Sequence, residues 1–191
     1  MEQPEVKFWG IPNILTLARI GAIPVVVLLL CFPGQLASFL AALVFVLAGA
    51  TDFLDGFLAR RRRLVSRFGK FMDPLADKLL VSAALIMLIP LHRVPAWMAF
   101  VIVGRELAVT GLRGLAATEG IILAPDRWGK TKTLLQMLAL TVVILHYPYF
   151  TLEFDRLGRG LLWLAMIVTV ASGASYFLTF FRQYPVVNRE T

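Results

Sequence analysis

The sequence predicts an all-α integral membrane protein, a six-transmembrane-helix bundle forming one domain over residues 1–191. Three observations predict it. Of the 191 residues, 59% are hydrophobic and 16% charged, whereas a soluble domain carries about a quarter charged residues. The apolar residues gather into six segments, each near the roughly 20 residues that one bilayer crossing requires. The basic residues concentrate in alternate links between those segments, the bias expected of a chain that weaves through a membrane.

The first segment runs from Pro12 to Phe32, with Pro12 suited to a first helical turn, and Pro33-Gly34 breaks it. The second runs from Leu36 to Ala59, and the third from Asp73 to Ile89, stopping at Pro90. The fourth runs from Pro95 to Ala117, the fifth from Thr131 to Leu145 and the sixth from Gly158 to Phe181. Met1 to Gly10 lacks the basic-then-apolar order of a cleaved signal, so the first span is expected to stay in the mature protein. Cys31 is the only cysteine, which excludes an internal disulfide, and it reads as an apolar helix-end residue. Phe8, Trp9, Trp97, Trp128 and Trp163 fall near span ends, where aromatic anchors belong.

The net charge of +7 admits three readings: nucleic-acid binding, attraction to anionic lipid, and topology marking. The run Arg60–Arg63 has no stacking aromatics interleaved and joins two spans, which argues against nucleic acid. The link between spans two and three carries Arg60, Arg61, Arg62, Arg63, Arg67 and Lys70, and that between four and five carries Arg127, Lys130 and Lys132. The opposite links carry Arg93, Arg156 and Arg159, offset by Glu153 and Asp155. This asymmetry puts both termini and the basic links in the cytoplasm.

Four carboxylates stand at the predicted cytoplasmic ends of spans two and three: Asp52, Asp55, Asp73 and Asp77. Acids among apolar residues are costly and usually functional, although the nearby arginines could balance them as interfacial pairs. Asp52 and Asp55 are i and i+3, and Asp73 and Asp77 are i and i+4, so each pair shares a helix face. Two antiparallel helices with a short link can turn those faces toward each other. Such crowded carboxylates repel unless a cation lies between them, and oxygen-only ligands suit a hard divalent ion such as Mg²⁺ or Mn²⁺. Four acids suffice for two ions, which together can clamp a diphosphate. Gly56 and Ala59 leave room against the helix backbone, for a ligand or for close helix packing. Arg60, one turn after Gly56, can reach a phosphate above that gap.

The stretch Asp52-Phe-Leu-Asp55-Gly56-Phe-Leu-Ala59-Arg60, eight residues, Gly69, three residues, Asp73, three residues, Asp77 resembles the signature of the CDP-alcohol phosphatidyltransferase family at every fixed position. That family is similarly a six-span bundle, which extends the resemblance over nearly the whole chain. The resemblance implies that Asp52, Asp55 and Asp73 hold two metal ions, with Asp77 as general base and also a metal ligand. It implies CDP-diacylglycerol as donor, contacted by Gly56, Ala59 and Arg60, and by Ser66 within the variable eight residues. It also implies a homodimer. The acceptor hydroxyl would attack the β-phosphorus in line while CMP leaves, without a covalent enzyme intermediate. His92 and His146, the only histidines, fall near the opposite membrane face and read as ordinary interfacial residues.

A second set of residues bears on the acceptor. Asn13, Thr16 and Arg19 line one stripe of span one, span four carries Arg105 and Arg113, and span five opens with Lys130 and Lys132. Cations within apolar helices should have anionic partners; Glu106, adjacent to Arg105 in the chain, cannot share its helix face, but another helix could supply one. The cations read either as structural ion pairs or as a pocket for a phosphate-bearing acceptor. The stretches Asn13–Arg19, Gly104–Arg113 and Trp128–Thr133 are similar to the bacterial, glycerol-3-phosphate-using branch of the family. That implies sn-glycerol 3-phosphate as acceptor, phosphatidylglycerol phosphate and CMP as products, and the bacterial cytoplasmic membrane as location. Thr16, Arg19, Arg105, Arg113, Lys130 and Lys132 are the candidates for its phosphate. Cardiolipin synthesis from phosphatidylglycerol and an inositol-phosphate-using synthase are the alternatives within the family. A cation transporter is the alternative outside it, disfavoured because the acids cluster toward one side.

Overall fold

The structure is a computed structural model that describes residues 11–62, 67–119, 127–149 and 152–187. Its helices are α1 (Ile11–Cys31), α2 (Gln35–Arg62), α3 (Arg67–Leu88), α4 (Ala96–Thr118), α5 (Arg127–Leu145) and α6 (Phe154–Val187). The all-α class and the six segments are as expected. Four boundaries differ by four residues or more. α3 starts at Arg67 rather than Asp73, because Pro74, which suits a first turn, lies inside the helix instead. α5 starts at Arg127, and α6 extends beyond Gly158–Phe181 at both ends, since polar residues flanking an apolar run continue the helix without lengthening its apolar signal.

Among the described residues, Ile14–Cys31 and Phe154–Gln183 are long and apolar enough to cross a membrane. Only 22% and 33% of their apolar windows are buried, which is too little for core helices of a water-soluble protein. Phe100, Leu36, Leu134 and Phe181 are likewise exposed. Apolar side chains on the outside of a bundle suit hydrocarbon and not water. Shorter apolar stretches fill Gln35–Thr51 of α2 and Thr131–Leu145 of α5.

α1 packs on α2 and α3, α5 on α2 and α6, and α4 on α6. One core joins Phe45, Leu80, Leu85, Leu88, Met98, Ile102, Leu140, Ile144 and Leu162, with Ala41, Ala42, Ala84, Ala99, Ala139 and Ala165 between them. Small residues let helix backbones approach, which matters where dispersion rather than water drives packing. A Cβ on Gly158 would lie 3.1 Å from the Val143 backbone nitrogen, so a side chain there forces α5 and α6 apart. A separate cluster of Val109, Leu112, Ala116, Tyr176 and Phe180 holds the later parts of α4 and α6 together.

One end of the bundle is closed by Arg93, expected only as a topology marker but in fact buried. Its Nη1 donates to Ile144 O at 2.8 Å and to Ser38 Oγ at 3.1 Å, and its guanidinium lies 5.5 Å from the Tyr147 ring centroid. Ile144 is in the last turn of α5, where carbonyls lack helical partners, so Arg93 caps that helix. Gln35 and Tyr149 add bonds to Pro148 O and Gln35 O. His146 takes a left-handed conformation, φ 54°, with Nδ1 3.3 Å from Asp155 Oδ1. Burial, then the charge of Arg93, push its pKa below the ordinary 6.5, while Asp155 pulls the other way. The remaining end, formed by the end of α2, the start of α3, the end of α4 and the start of α5, is left for polar residues.

Two outcomes are expected here. Arg93→Ala should lower unfolding stability in detergent by about 2–4 kcal/mol, with Arg93→Lys recovering only part, because lysine lacks the planar fork. An unchanged thermal midpoint for Arg93→Ala would contradict the capping role. The folded chain also favours neutral His146. Its contribution is therefore full above pH 6.5 and lost as pH falls below that value. His146→Asn, which tolerates the same backbone conformation, should flatten the acid side of the stability profile.

Candidate active site

At the polar end, Asp77, Lys78 and Val81 of α3, Glu106 of α4, and Lys132, Thr133, Gln136 and Met137 of α5 line one small cleft. The spacing explains the grouping. Asp77 and Val81 are i and i+4 on α3, and Lys132 and Gln136 are i and i+4 on α5, so each helix turns one stripe inward. Lys132 and Gln136 are buried, at 5% and 4% exposure. A lysine this deep needs a carboxylate, and Glu106 supplies it: its Oε1 accepts from Lys132 Nζ and, at 3.1 Å, from Arg105 Nη1. Adjacency had ruled Glu106 out as the partner of Arg105. The ion pair forms because the arginine side chain is long enough to span the roughly 100° between successive helix positions. Arg105 Nη2 also donates to Ser172 Oγ of α6 at 2.9 Å.

Thr16 and Arg19 are fully buried on α1, at 0% and 1% exposure. Arg19 Nε donates to Ala48 O at 3.1 Å and Nη2 to Thr51 Oγ1 at 3.4 Å, while Thr51 Oγ1 donates to Ala48 O at 2.6 Å. Arg19 thereby ties α1 to α2 immediately before Asp52. Arg113 is exposed, and no ion pair to it is found among the described residues. The expected anionic partner is thus present for Arg105 and not for Arg113, which has no burial to offset.

Of Asp52, Asp55, Gly56, Ala59 and Arg60 on α2, Asp73 on α3 and Lys130 on α5, only the helical backbone is described; their side chains, and Ser66 altogether, lie outside the described residues. The backbone still fixes their level. Asp55 and Asp73 lie about two turns from the α2–α3 link and Asp52 and Asp77 about three, on helices joined by residues 63–66. Aspartate positions at matching backbone levels on adjoining helices offer oxygen donors only, the chemistry that suits a hard divalent cation. Among the described residues no group of three potential ligands assembles, since Asp77 is the only one of the four whose side chain is described.

Sequence reasoning did not single out Lys78, Gln136 or Ser172 for the site. Gln136 was findable as the i+4 partner of Lys132. Nothing local in the sequence pairs Ser172 with Arg105, 67 positions away.

A family model described as CDP-alcohol phosphatidyltransferase matches residues 9–171. A Bacillus subtilis (strain 168) protein named CDP-diacylglycerol–glycerol-3-phosphate 3-phosphatidyltransferase is 44% identical over 88% of this chain and 94% of its own. A Rickettsia bellii (strain RML369-C) protein of the same name is 44% identical over 88% of this chain and 93% of its own. An Arabidopsis thaliana protein, CDP-diacylglycerol–glycerol-3-phosphate 3-phosphatidyltransferase 2, is 36% identical over 92% of this chain and 82% of its own.

The Glu106–Lys132 pair is open to a double-mutant cycle. Glu106→Gln leaves a buried ammonium without its carboxylate and should cost about 2 kcal/mol or more of unfolding stability, whereas Glu106→Gln with Lys132→Met should cost less than the single changes added together. Additive costs would remove the pair from the architecture of the cleft.

Proposed function

We propose, for a chain that belongs to the CDP-alcohol phosphatidyltransferase family, the transfer of the phosphatidyl group of CDP-diacylglycerol to sn-glycerol 3-phosphate, giving phosphatidylglycerol phosphate and CMP. The activity is the one named for relatives that this chain matches over most of its length. The observation that carries it to the site is the cleft lined by Asp77, Glu106 and the buried Lys132, with Arg105 paired to the same Glu106 carboxylate. A carboxylate beside cations can bind a phosphate-bearing alcohol and take its proton; a neutral alcohol would not require those cations.

In this reading, Arg105 and Lys132 hold the acceptor's phosphate, with Thr16, Arg19, Arg113 and Lys130 as further candidates. Asp77 takes the proton from the acceptor hydroxyl. The hydroxyl oxygen bonds to the phosphorus that carries diacylglycerol, and the bond from that phosphorus to the CMP oxygen breaks. Gly56, Ala59 and Arg60, with Ser66, contact the CDP part of the donor. Family membership implies a divalent metal. Asp52, Asp55, Asp73 and Asp77 would hold it, as two ions of Mg²⁺ or Mn²⁺. When bound, it neutralises diphosphate charge and makes CMP a better leaving group.

The bundle is proposed to span a cytoplasmic membrane six times, with both termini and the cleft in the cytoplasm. The clustering of basic residues in two alternate links supports that orientation. The outward apolar side chains support the membrane. A homodimer is part of the reading on the ground of the resemblance alone.

Purified protein with CDP-diacylglycerol should release CMP strongly with glycerol 3-phosphate, and weakly or not at all with phosphatidylglycerol, inositol phosphate or inositol. Release with phosphatidylglycerol alone would overturn the acceptor assignment, and metal-dependent ion flux in proteoliposomes without CMP release would favour a transporter. Asp77→Asn should lower turnover by roughly 10²-fold or more while the fold is retained. Near-normal turnover would remove Asp77 as the base.

A further inference from the structure

Lys78 of α3 and Lys132 of α5 line the cleft, Arg105 of α4 adjoins it through Glu106, and no described α6 residue lines it. α6 nevertheless touches one of those cations at two consecutive residues. Ser172 Oγ accepts Arg105 Nη2 at 2.9 Å. A Cβ built on Gly173 would lie 2.9 Å from Arg105 Cγ, 3.1 Å from Nε and 3.6 Å from Cδ. These atoms belong to the stem and the root of the guanidinium, not to a free tip, so any side chain at 173 must displace the whole head group. Nη1 is meanwhile held at 3.1 Å by Glu106, which also accepts from Lys132. The guanidinium is thus held by groups of α4 and α6 while its stem lies in a notch in the surface of α6.

We propose that Ser172 and Gly173 of α6 are positioning residues that set the affinity for the acceptor's phosphate by seating Arg105. The inference deepens the function proposed above and rests on it. The bonds to Glu106 and Ser172 engage two of the five N–H donors of Arg105, so others remain for an anion. Its buried Nε has no partner among the described residues. One turn earlier on the same face of α6, Thr169 is fully buried and its Oγ1 also lacks a partner among the described residues. This stretch of α6 is therefore polar and tightly packed, directly after the wholly apolar run of residues 161–168. The family match ends at residue 171, so the role of the next two residues comes from the geometry alone.

A merely structural glycine would affect donor and acceptor alike; a seat for the acceptor cation separates them. Steady-state CMP release by the full chain in detergent–lipid micelles should show the KM for glycerol 3-phosphate rising roughly tenfold in Gly173→Ala, with the donor KM and the kcat at saturating acceptor within about twofold of the parent. Ser172→Ala should raise the acceptor KM by about threefold, and Ser172→Thr, which keeps the hydroxyl, should restore it. Inhibition by inorganic phosphate should weaken in step with each rise. Gly160→Ala, on the same helix with nothing within 4 Å of the added carbon, serves as the helix control and should leave both KM values unchanged. Equal rises in both KM values, a loss of kcat alone, or an unchanged acceptor KM would overturn the inference. Should Gly173→Ala fail to fold, the Ser172→Ala and Ser172→Thr pair decides by the same criterion. If the parent protein releases no CMP with glycerol 3-phosphate, the proposed function fails first; if it does and the variants leave the acceptor KM unmoved, only the role of α6 fails.

Discussion

A cation buried in an apolar bundle must find oxygen inside the protein, since neither hydrocarbon nor distant water can solvate it. Four side chains live under that constraint, and each resolves it with a different mixture of oxygens. Arg93 takes a helix-end carbonyl and a serine hydroxyl. Arg19 takes a carbonyl and a threonine hydroxyl of α2. Lys132 takes the Glu106 carboxylate, and Arg105 divides itself between that carboxylate and Ser172. Because each solution joins at least two helices, the polar groups organise the bundle as much as its apolar core does.

The two ends differ in what that organisation is for. Around Arg93 the partners are neutral, and the result is a cap over α5 with links to the start of α2. Around Lys132 there are two cations and one carboxylate in contact, with Asp77 and Lys78 lining the same cleft. An arrangement whose charges do not all cancel locally is poor as a staple and suitable as a receptor for another anion. This contrast is the ground for proposing the site at this end although both ends carry basic residues.

The reaction assigned to the chain divides naturally among the helices. The end of α2 and the start of α3 bring the acids of the family signature to matching heights. α4 and α5 bring the cations suited to a phosphate-bearing alcohol. α1 secures α2 just before Asp52 through Arg19, and α6 backs Arg105. Asp77 stands on α3 yet lines the cleft shared with α4 and α5, so it belongs to both halves and is the residue through which a bound acceptor and the donor's acids would meet.

What the sequence determined by itself follows from chemistry that is local or periodic. Apolar runs of bilayer length set six helices, turn residues such as Pro33-Gly34 set their ends, and the i, i+3 and i, i+4 spacing of Asp52, Asp55, Asp73 and Asp77 marked the acidic faces. The same spacing could not show that Arg93 is buried, that Arg105 pairs with its own neighbour Glu106, or that Arg113 stays exposed. Those outcomes depend on which helices come together and on how long side chains bend between them. Only the tertiary structure could bring Ser172 and Gly173 against Arg105, because contact between residues so far apart in the chain is decided by packing and leaves no periodic trace in the sequence.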